Sequence, residues 1–486
     1  MSIRRAAAWM MASQYASFAI QFLSSVVISR FFLLPADVGL FSIALAAAMV
    51  VAIFQDMGIS RFVTGQPNMR EEHVRDYATV AVGIGWLVAG TVALAAWPLS
   101  QAYDQPGLTD LVLIIALSYL AIPFAIVPAA LITRAMNFRL LFFANAGSAL
   151  AGAIVAIGSA AAGSGPSSLA WGMLATAVTR TSVVLAARPV LPALRYDSAV
   201  SRPLLHFGGS AFVLSLSGAI GMRSQDLIVG RILGVTATGL FTRATALAGQ
   251  LSTLTVGAIN AVFYPAFAKK RDEGADLAAP YLHLIACNTA LTWAAMAGLA
   301  LAAEPLVAIL YGPNWAEVAP LLRWTALAEA CFFAVPLQMD IPILLGRIKQ
   351  LVWINLLDTA ATVAILAVFA FWGLEAAAIS RLVAAALWFV LYITYIARLV
   401  GLGARSLARV YLSSAVCAVA AGLPLALSLH FEWFGASMNL AALLAMSLCG
   451  GACWLAALIA TGHPAWGEVR GILQRFVPAR IATRGG

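Results

Sequence analysis

Charge is what this sequence has least of. Only 10% of its 486 residues are Asp, Glu, Lys or Arg, against about 25% in soluble globular domains. That is too little to clothe a water-facing surface, and hydrophobic residues reach 62%. Cysteine is sparse as well. Cys287, Cys331, Cys417, Cys449 and Cys453 are odd in number, lie inside apolar runs and lack zinc-ligand spacing, so they read as packing residues rather than a disulfide or metal framework. His73, His206, His283, His430 and His463 are scattered without Glu, Asp or Cys at a helical ligand spacing, and no metal site is expected. Strand-type alternation is missing, which argues against a β-barrel. No Walker-type phosphate loop occurs, so ATP bound by this chain is not the expected driving force and no cofactor is expected.

What is present is a succession of apolar segments from Trp9 to Thr461, each long enough as a helix to cross a hydrocarbon core of about 30 Å. The expected class is an all-α integral membrane protein. The opening "MSIRRAAAWMMASQYASFAI" has a charged start, but its apolar part runs past Gln14 to Val27, so it reads as a retained first span rather than a signal peptide. Polar breaks divide the chain into fourteen expected spans, near 9–29, 39–63, 77–99, 108–133, 141–162, 168–187, 208–230, 239–267, 281–303, 318–345, 350–371, 374–397, 409–429 and 438–461.

The cations test that count. Arg4, Arg5, Arg61, Arg70, Arg75, Arg134, Arg139, Arg188, Arg195, Arg202, Lys269, Lys270, Arg271, Arg347, Lys349, Arg398, Arg405, Arg409, Arg470, Arg475, Arg480 and Arg484 fall at the two termini and in every second connection, 22 of the 29 Lys and Arg. The opposite connections hold Arg30 and Arg231 with Asp37, Asp104, Asp110, Glu304, Glu317, Glu375 and Glu432. Because Lys and Arg mark cytoplasmic loops, both termini are expected in the cytoplasm. The net charge of +9 is then charge facing anionic lipid, without any need for nucleic acid. The tail 466–486 spaces Trp466, Val469, Leu473 and Phe476 between arginines, the pattern of an amphipathic helix on the inner membrane surface.

One corner is written twice. "SRFFLLPADVGLF" (29–41) and "GRILGVTATGLF" (230–241) each place an arginine after an apolar run, then a short loop, then Gly-Leu-Phe. Six spans separate the copies, so the halves share one orientation. The expected organisation is two parallel six-helix lobes, 1–200 and 201–400, about a central cavity, with two additional spans in 401–465. Such a two-lobed bundle suits alternating access.

Ten charged residues remain inside expected spans: Arg180, Arg223, Arg243, Arg323, Arg381, Asp56, Asp226, Glu329, Asp340 and Asp358. Charge at that depth normally faces a bundle interior or water. Arginine suits a phosphate-bearing headgroup, because its planar fork pairs bidentately and stays charged. Arg223, Arg243, Arg231, Arg30, Arg323 and Arg381 are the candidate pyrophosphate-binding residues, centred on Arg223 and Arg243. Asp226, Asp340, Asp358 and Asp56 are the candidates for proton or sodium coupling or for pairing within the cavity. Plainer roles stand beside these. Arg223 and Asp226, three apart, can pair with each other; Arg180, Arg323 and Arg381 can snorkel; Arg30 and Arg231 can anchor helix ends; Asp56 can fix a helix terminus.

"RFFLLPADVGLFSIA", "FQDMGIS", "SQDLIVGRILGVTATGLFTRATALA" and "LYGPNWAEVAPLLRWTALA", in that order, resemble the oligosaccharide flippases of the polysaccharide transport family, within the multidrug, oligosaccharidyl-lipid and polysaccharide exporter superfamily. The usual Arg-x-Leu-x-Pro-x-x-x-Gly corner is altered here to Arg-Phe-Phe-Leu-Leu-Pro in the first copy, and Val235 replaces the proline in the second. The resemblance implies a bacterial inner-membrane carrier, not an enzyme, that moves undecaprenyl-pyrophosphate-linked sugar repeats from the cytoplasmic to the outer face. A polymerase and export machinery are the protein partners it suggests. A multidrug or cation antiporter and a peptidoglycan-precursor flippase of the same superfamily are the nearest rivals. A membrane glycosyltransferase or polymerase is the alternative from another class.

Overall fold

The computed structural model describes the backbone of residues 3–55, 58–65, 71–193, 198–434 and 438–476. The apolar runs become helices because water is absent around them and each backbone donor must be satisfied within its own segment. In chain order these are α1 (Ile3–Phe31), α2 (Pro35–Ala52), α3 (Ile59–Gly65), α4 (Glu71–Tyr103), α5 (Gly107–Ala121), α6 (Pro123–Arg134), α7 (Phe138–Ala161), α8 (Ser167–Ala187) and α9 (Ser198–Leu233). There follow α10 (Val235–Asp272), α11 (Ala278–Leu301), α12 (Ala303–Leu310), α13 (Val318–Phe333), α14 (Asp340–Leu344), α15 (Ile348–Ala370), α16 (Leu374–Val400), α17 (Ala404–His430), α18 (Leu440–Ala460) and α19 (Ala465–Phe476).

The protein is an all-helical, multi-pass membrane protein. Among the described residues ten helices are long and apolar enough to span, and the bent pair α5 and α6 makes eleven. The expected spans 208–230 and 239–267 fall on α9 and α10, and 318–345 falls on α13 and α14. Three expected spans are not continuous. The run 39–63 leaves its helix at Ala52 and resumes at Ile59. The run 108–133 bends by 43° between Ala121 and Pro123, since a proline lacks the N–H that would bind back into α5 and suits the first turn of a new helix. The run 318–345 opens after Phe333, passes Pro336 and the left-handed Leu337, and restarts at Asp340.

Contacts divide the chain into two compact units, Met1–Thr242 and Arg243–Gly486. In the first, α2, α4 and α5 enclose a core of Ile43, Val88, Val92, Leu108, Leu111 and Ile115. There α7 and α8 approach closely through small residues. Ala144, Ser148, Gly152, Ala156 and Ala160 are buried on α7 at four-residue spacing, and a Cβ on Gly172 would stand 2.6 Å from Ala156 Cβ. Small residues that let backbones close together are the usual means of helix association in lipid. Helix α1 packs chiefly on α7, and only 11% of its most apolar window is buried, which leaves room beside it.

In the second unit α11, α16 and the α13 to α14 break surround a core containing Tyr281, Ile285, Val335, Ile341, Tyr392 and Ile396. The carbonyls freed at the break are met by side chains of neighbouring helices. Trp293 Nε1 donates to Ala330 O (2.8 Å), Asn288 Nδ2 to Phe333 O (2.5 Å), Tyr411 OH to Ala334 O (2.8 Å) and Tyr281 OH to Pro336 O (2.8 Å). Irregular backbone at membrane depth persists when protein satisfies it in this way.

Candidate functional site

The two copies of the repeated corner meet, and both lie within the first unit. In the first copy Pro35 opens α2, and Asp37 accepts a hydrogen bond from the Leu34 N–H at 2.9 Å, which suits the positive end of the helix. In the second, Gly234 takes φ of +89°, and Thr238 Oγ1 donates to its carbonyl at 3.0 Å. A side chain on Gly39 would collide with the carbonyl of Val235, and one on Gly239 with the carbonyl of Pro35. Glycine is required at both positions because each backbone occupies the other's Cβ space.

The charged residues singled out in the sequence are dispersed. Arg30 ends α1, exposed, with its guanidinium 5.9 Å from the Phe31 ring. Arg231 lies exposed in the last turn of α9. Half-buried Arg223 has no ion pair with a described carboxylate, while Asp226 Oδ1 accepts from Thr242 Oγ1 at 2.9 Å. The pairing of Arg223 with Asp226 is therefore not formed. In the second unit Arg243 is buried, with Tyr311 and Trp315 rings 5.7 and 5.6 Å from its guanidinium, a cation–π arrangement. Arg381 pairs with Glu329 at 2.6 Å. Arg323 pairs with Glu304 at 2.7 Å beside an apolar groove of about 640 Å³ lined by α11, α13 and α17. Asp340 begins α14. Asp358 on α15 has one carboxylate oxygen buried without a hydrogen bond among the described residues. Asp56 lies outside the described residues.

Arg180, one of the ten charges within spans but not a candidate site residue, lines a cavity of about 580 Å³ in the first unit, where polar side chains stand among apolar ones such as Phe138, Leu141 and Ala149. Helix α1 gives it Met10, Ser13, Gln14, Ser17, Phe18 and Gln21; α6, α7 and α8 add Thr133, Asn145, Ser148, Thr176 and Arg180. Arg180 Nε donates to Asn145 Oδ1 at 3.0 Å, and Asn145 Nδ2 donates to Ser13 Oγ at 3.1 Å. One amide thus ties three helices together and orients the guanidinium. No described carboxylate pairs with Arg180, and its two terminal nitrogens have no hydrogen-bond partner among the described residues. The close packing of α7 on α8 makes this possible, since Asn145 lies beside Ala144 at the end of the small-residue row. A fixed, uncompensated guanidinium with hydroxyls and amides around it can receive a phosphate-bearing, hydroxyl-rich headgroup.

A multi-pass helical bundle with such a cavity among its spans is the framework of a membrane transporter. The chain belongs to the polysaccharide biosynthesis protein family, whose model matches residues 9–320. It is 21% identical over 287 residues to the lipopolysaccharide biosynthesis protein WzxC of Escherichia coli (strain K12), a match covering 59% of this chain and 58% of WzxC. It is 24% identical over 363 residues to the succinoglycan biosynthesis transport protein ExoT of Rhizobium meliloti (strain 1021), covering 74% of this chain and 73% of ExoT. In fold it is similar to the lipid II flippase MurJ in an inward closed conformation, with a TM-score of 0.72 over 96% of this chain and 99% of MurJ at 12% identity. An inward-facing multidrug resistance transporter of the MATE family aligns with a TM-score of 0.58 over 83% of this chain and 97% of its own, at 16% identity. ExoT is by its name a transport protein, and this chain is a transporter-family protein rather than an enzyme.

Proposed function

We propose that the protein flips undecaprenyl-pyrophosphate-linked oligosaccharide repeats from the cytoplasmic to the outer face of a bacterial inner membrane, for O-antigen, capsule or exopolysaccharide synthesis. The observation that carries this reading is Arg180, held by Asn145 at membrane depth without a described counter-charge. A guanidinium in that position is costly unless an anion arrives to meet it. The names of WzxC and ExoT as polysaccharide biosynthesis and transport proteins support the same substrate class. The finer organisation belongs to this proposal: fourteen spans, parallel six-helix lobes at 1–200 and 201–400, additional spans in 401–465, a basic tail at 466–486 and both termini cytoplasmic. Alternating access follows from the duplicated corner. Asp358 is the preferred coupling group for a proton or sodium ion, since it carries a buried, unpartnered oxygen.

Deletion tests the reading. Surface or secreted polysaccharide should be lost while lipid-linked repeats accumulate facing the cytoplasm. Normal polymer with lost drug resistance would instead identify an antiporter.

A further inference from the structure

Arg180 is the single charged side chain among the described residues that line the cavity, and it lies on α8. The facing wall, from α1, is neutral and carries four polar side chains beside Met10 and Phe18. Ser13, Ser17 and Gln21 recur at four-residue intervals and Gln14 lies three before Ser17, which places all four along one side of the helix. They sit inside the apolar span Ala8–Phe31. The amides of Gln14 and Gln21 make no hydrogen bond to any described residue, and Ser17 Oγ is buried without a partner. Ser13 Oγ accepts from Asn145, so its own proton remains available.

Unpaired amides and hydroxyls inside a span are unfavourable in hydrocarbon, and a helix built only to cross lipid has no use for them. Their chemistry differs from that of Arg180. A carboxamide offers two donors and an acceptor and a hydroxyl offers both roles, which matches sugar hydroxyls, themselves donor and acceptor at once. Phosphate oxygens only accept, and the guanidinium serves them. From Gln14 to Gln21 the wall extends about 10 Å along the helix, enough for more than one sugar ring.

We infer that the α1 wall is the sugar-reading part of the site, recognising hydroxyls of the first sugars of the lipid-linked oligosaccharide, while Arg180, positioned by Asn145, binds the adjoining phosphate. This inference rests on the flippase reading and adds a division of labour to it. Selectivity for glycosylated over bare lipid resides in α1; affinity for the pyrophosphate does not.

The test uses the full chain in lipid nanodiscs with two probes, sugar-free undecaprenyl pyrophosphate and the lipid-linked oligosaccharide extracted from a strain deleted for this protein. The wild type should bind the glycosylated lipid at least about tenfold more tightly, a difference of about 1.4 kcal/mol. Gln14→Leu/Gln21→Leu should erase that difference and leave affinity for sugar-free lipid within about twofold. Arg180→Gln should weaken both. Thermal melting checks each variant, and if the leucine pair does not fold, Gln14→Ala/Gln21→Ala is read in its place. A folded glutamine variant that keeps the full preference overturns the inference. Equal binding of both probes by the wild type overturns it too but leaves the flippase reading standing. Binding of neither probe by the wild type overturns both.

Discussion

The carbonyl oxygen of Val235 fills the space that a side chain on Gly39 would need, and the carbonyl of Pro35 stands in the same relation to Gly239. The corner is written twice because its copies are built to touch. Gly39→Ala or Gly239→Ala must push the two helix starts apart and should lower the melting temperature of the purified protein and reduce transport. Gly83→Ala, with open space around its Cβ position, is the matched control. It should change neither.

Arg223 and Asp226 share a helix but not an ion pair, because Asp226 is engaged by Thr242. Removing both members of a true buried pair is far milder than removing one. Here Arg223→Gln should impair transport, and adding Asp226→Asn should not restore it. Recovered transport in the double variant, at equal membrane level, would show that the pair forms during the cycle.

Two of the ion pairs of the second unit predict opposite sensitivities. Arg381 and Glu329 have side chains only 16% and 9% exposed, so Arg381→Gln should cost about 3 to 5 kcal/mol of stability by stranding Glu329. Arg323 and Glu304 are 45% and 66% exposed, and Arg323→Gln should cost about 0 to 1 kcal/mol. Comparative thermal or denaturant unfolding of the two variants in one detergent decides this.

The helical membrane class and the duplicated corner were legible in the sequence, because hydropathy and a recurring Gly-Leu-Phe are local signals. The breaks were not. The run 318–345 looks continuous until Tyr281, Asn288, Trp293 and Tyr411 are seen to satisfy its open carbonyls, and all four lie on other helices. Arg180 is legible as a charge within a span that can face a cavity or snorkel, and the sequence does not decide between the two for the same reason. A lone arginine in a span has no spacing to announce it, and its partner Asn145 is 35 residues away on α7. The polar residues of α1 that complete the cavity read, in sequence, as ordinary variety in a first span.

The tail offers a prediction in pH. Helix α19 is preceded by buried His463, whose Nδ1 accepts from the Ala465 N–H at 3.2 Å and whose Nε2 lies 3.1 Å from Ser414 Oγ. Burial first, and then the neighbouring His283, push its imidazole below the usual 6.5. Glu468, paired with His283 at 3.3 Å, is the facing carboxylate, but that pair is exposed and weak. A histidine with a lowered folded value holds its stability above the unfolded pKa and loses it as pH falls through the folded one. Protonation also removes the acceptor for Ala465. Hydrogen exchange at 465–471, corrected for intrinsic rates, should be faster at a pH of about 5.5 than at about 7.5, straddling the unperturbed value, and His463→Asn should flatten that dependence.

The most direct test is translocation itself. Proteoliposomes carrying the purified protein and the lipid-linked oligosaccharide extracted from the deletion strain should expose that lipid to an externally added glycan-cleaving enzyme, in step with its transfer between leaflets. Arg180→Gln and Arg180→Lys should both fail at wild-type protein content, since neither reproduces the fork that Asn145 orients. Wild-type rates in both variants would contradict the account.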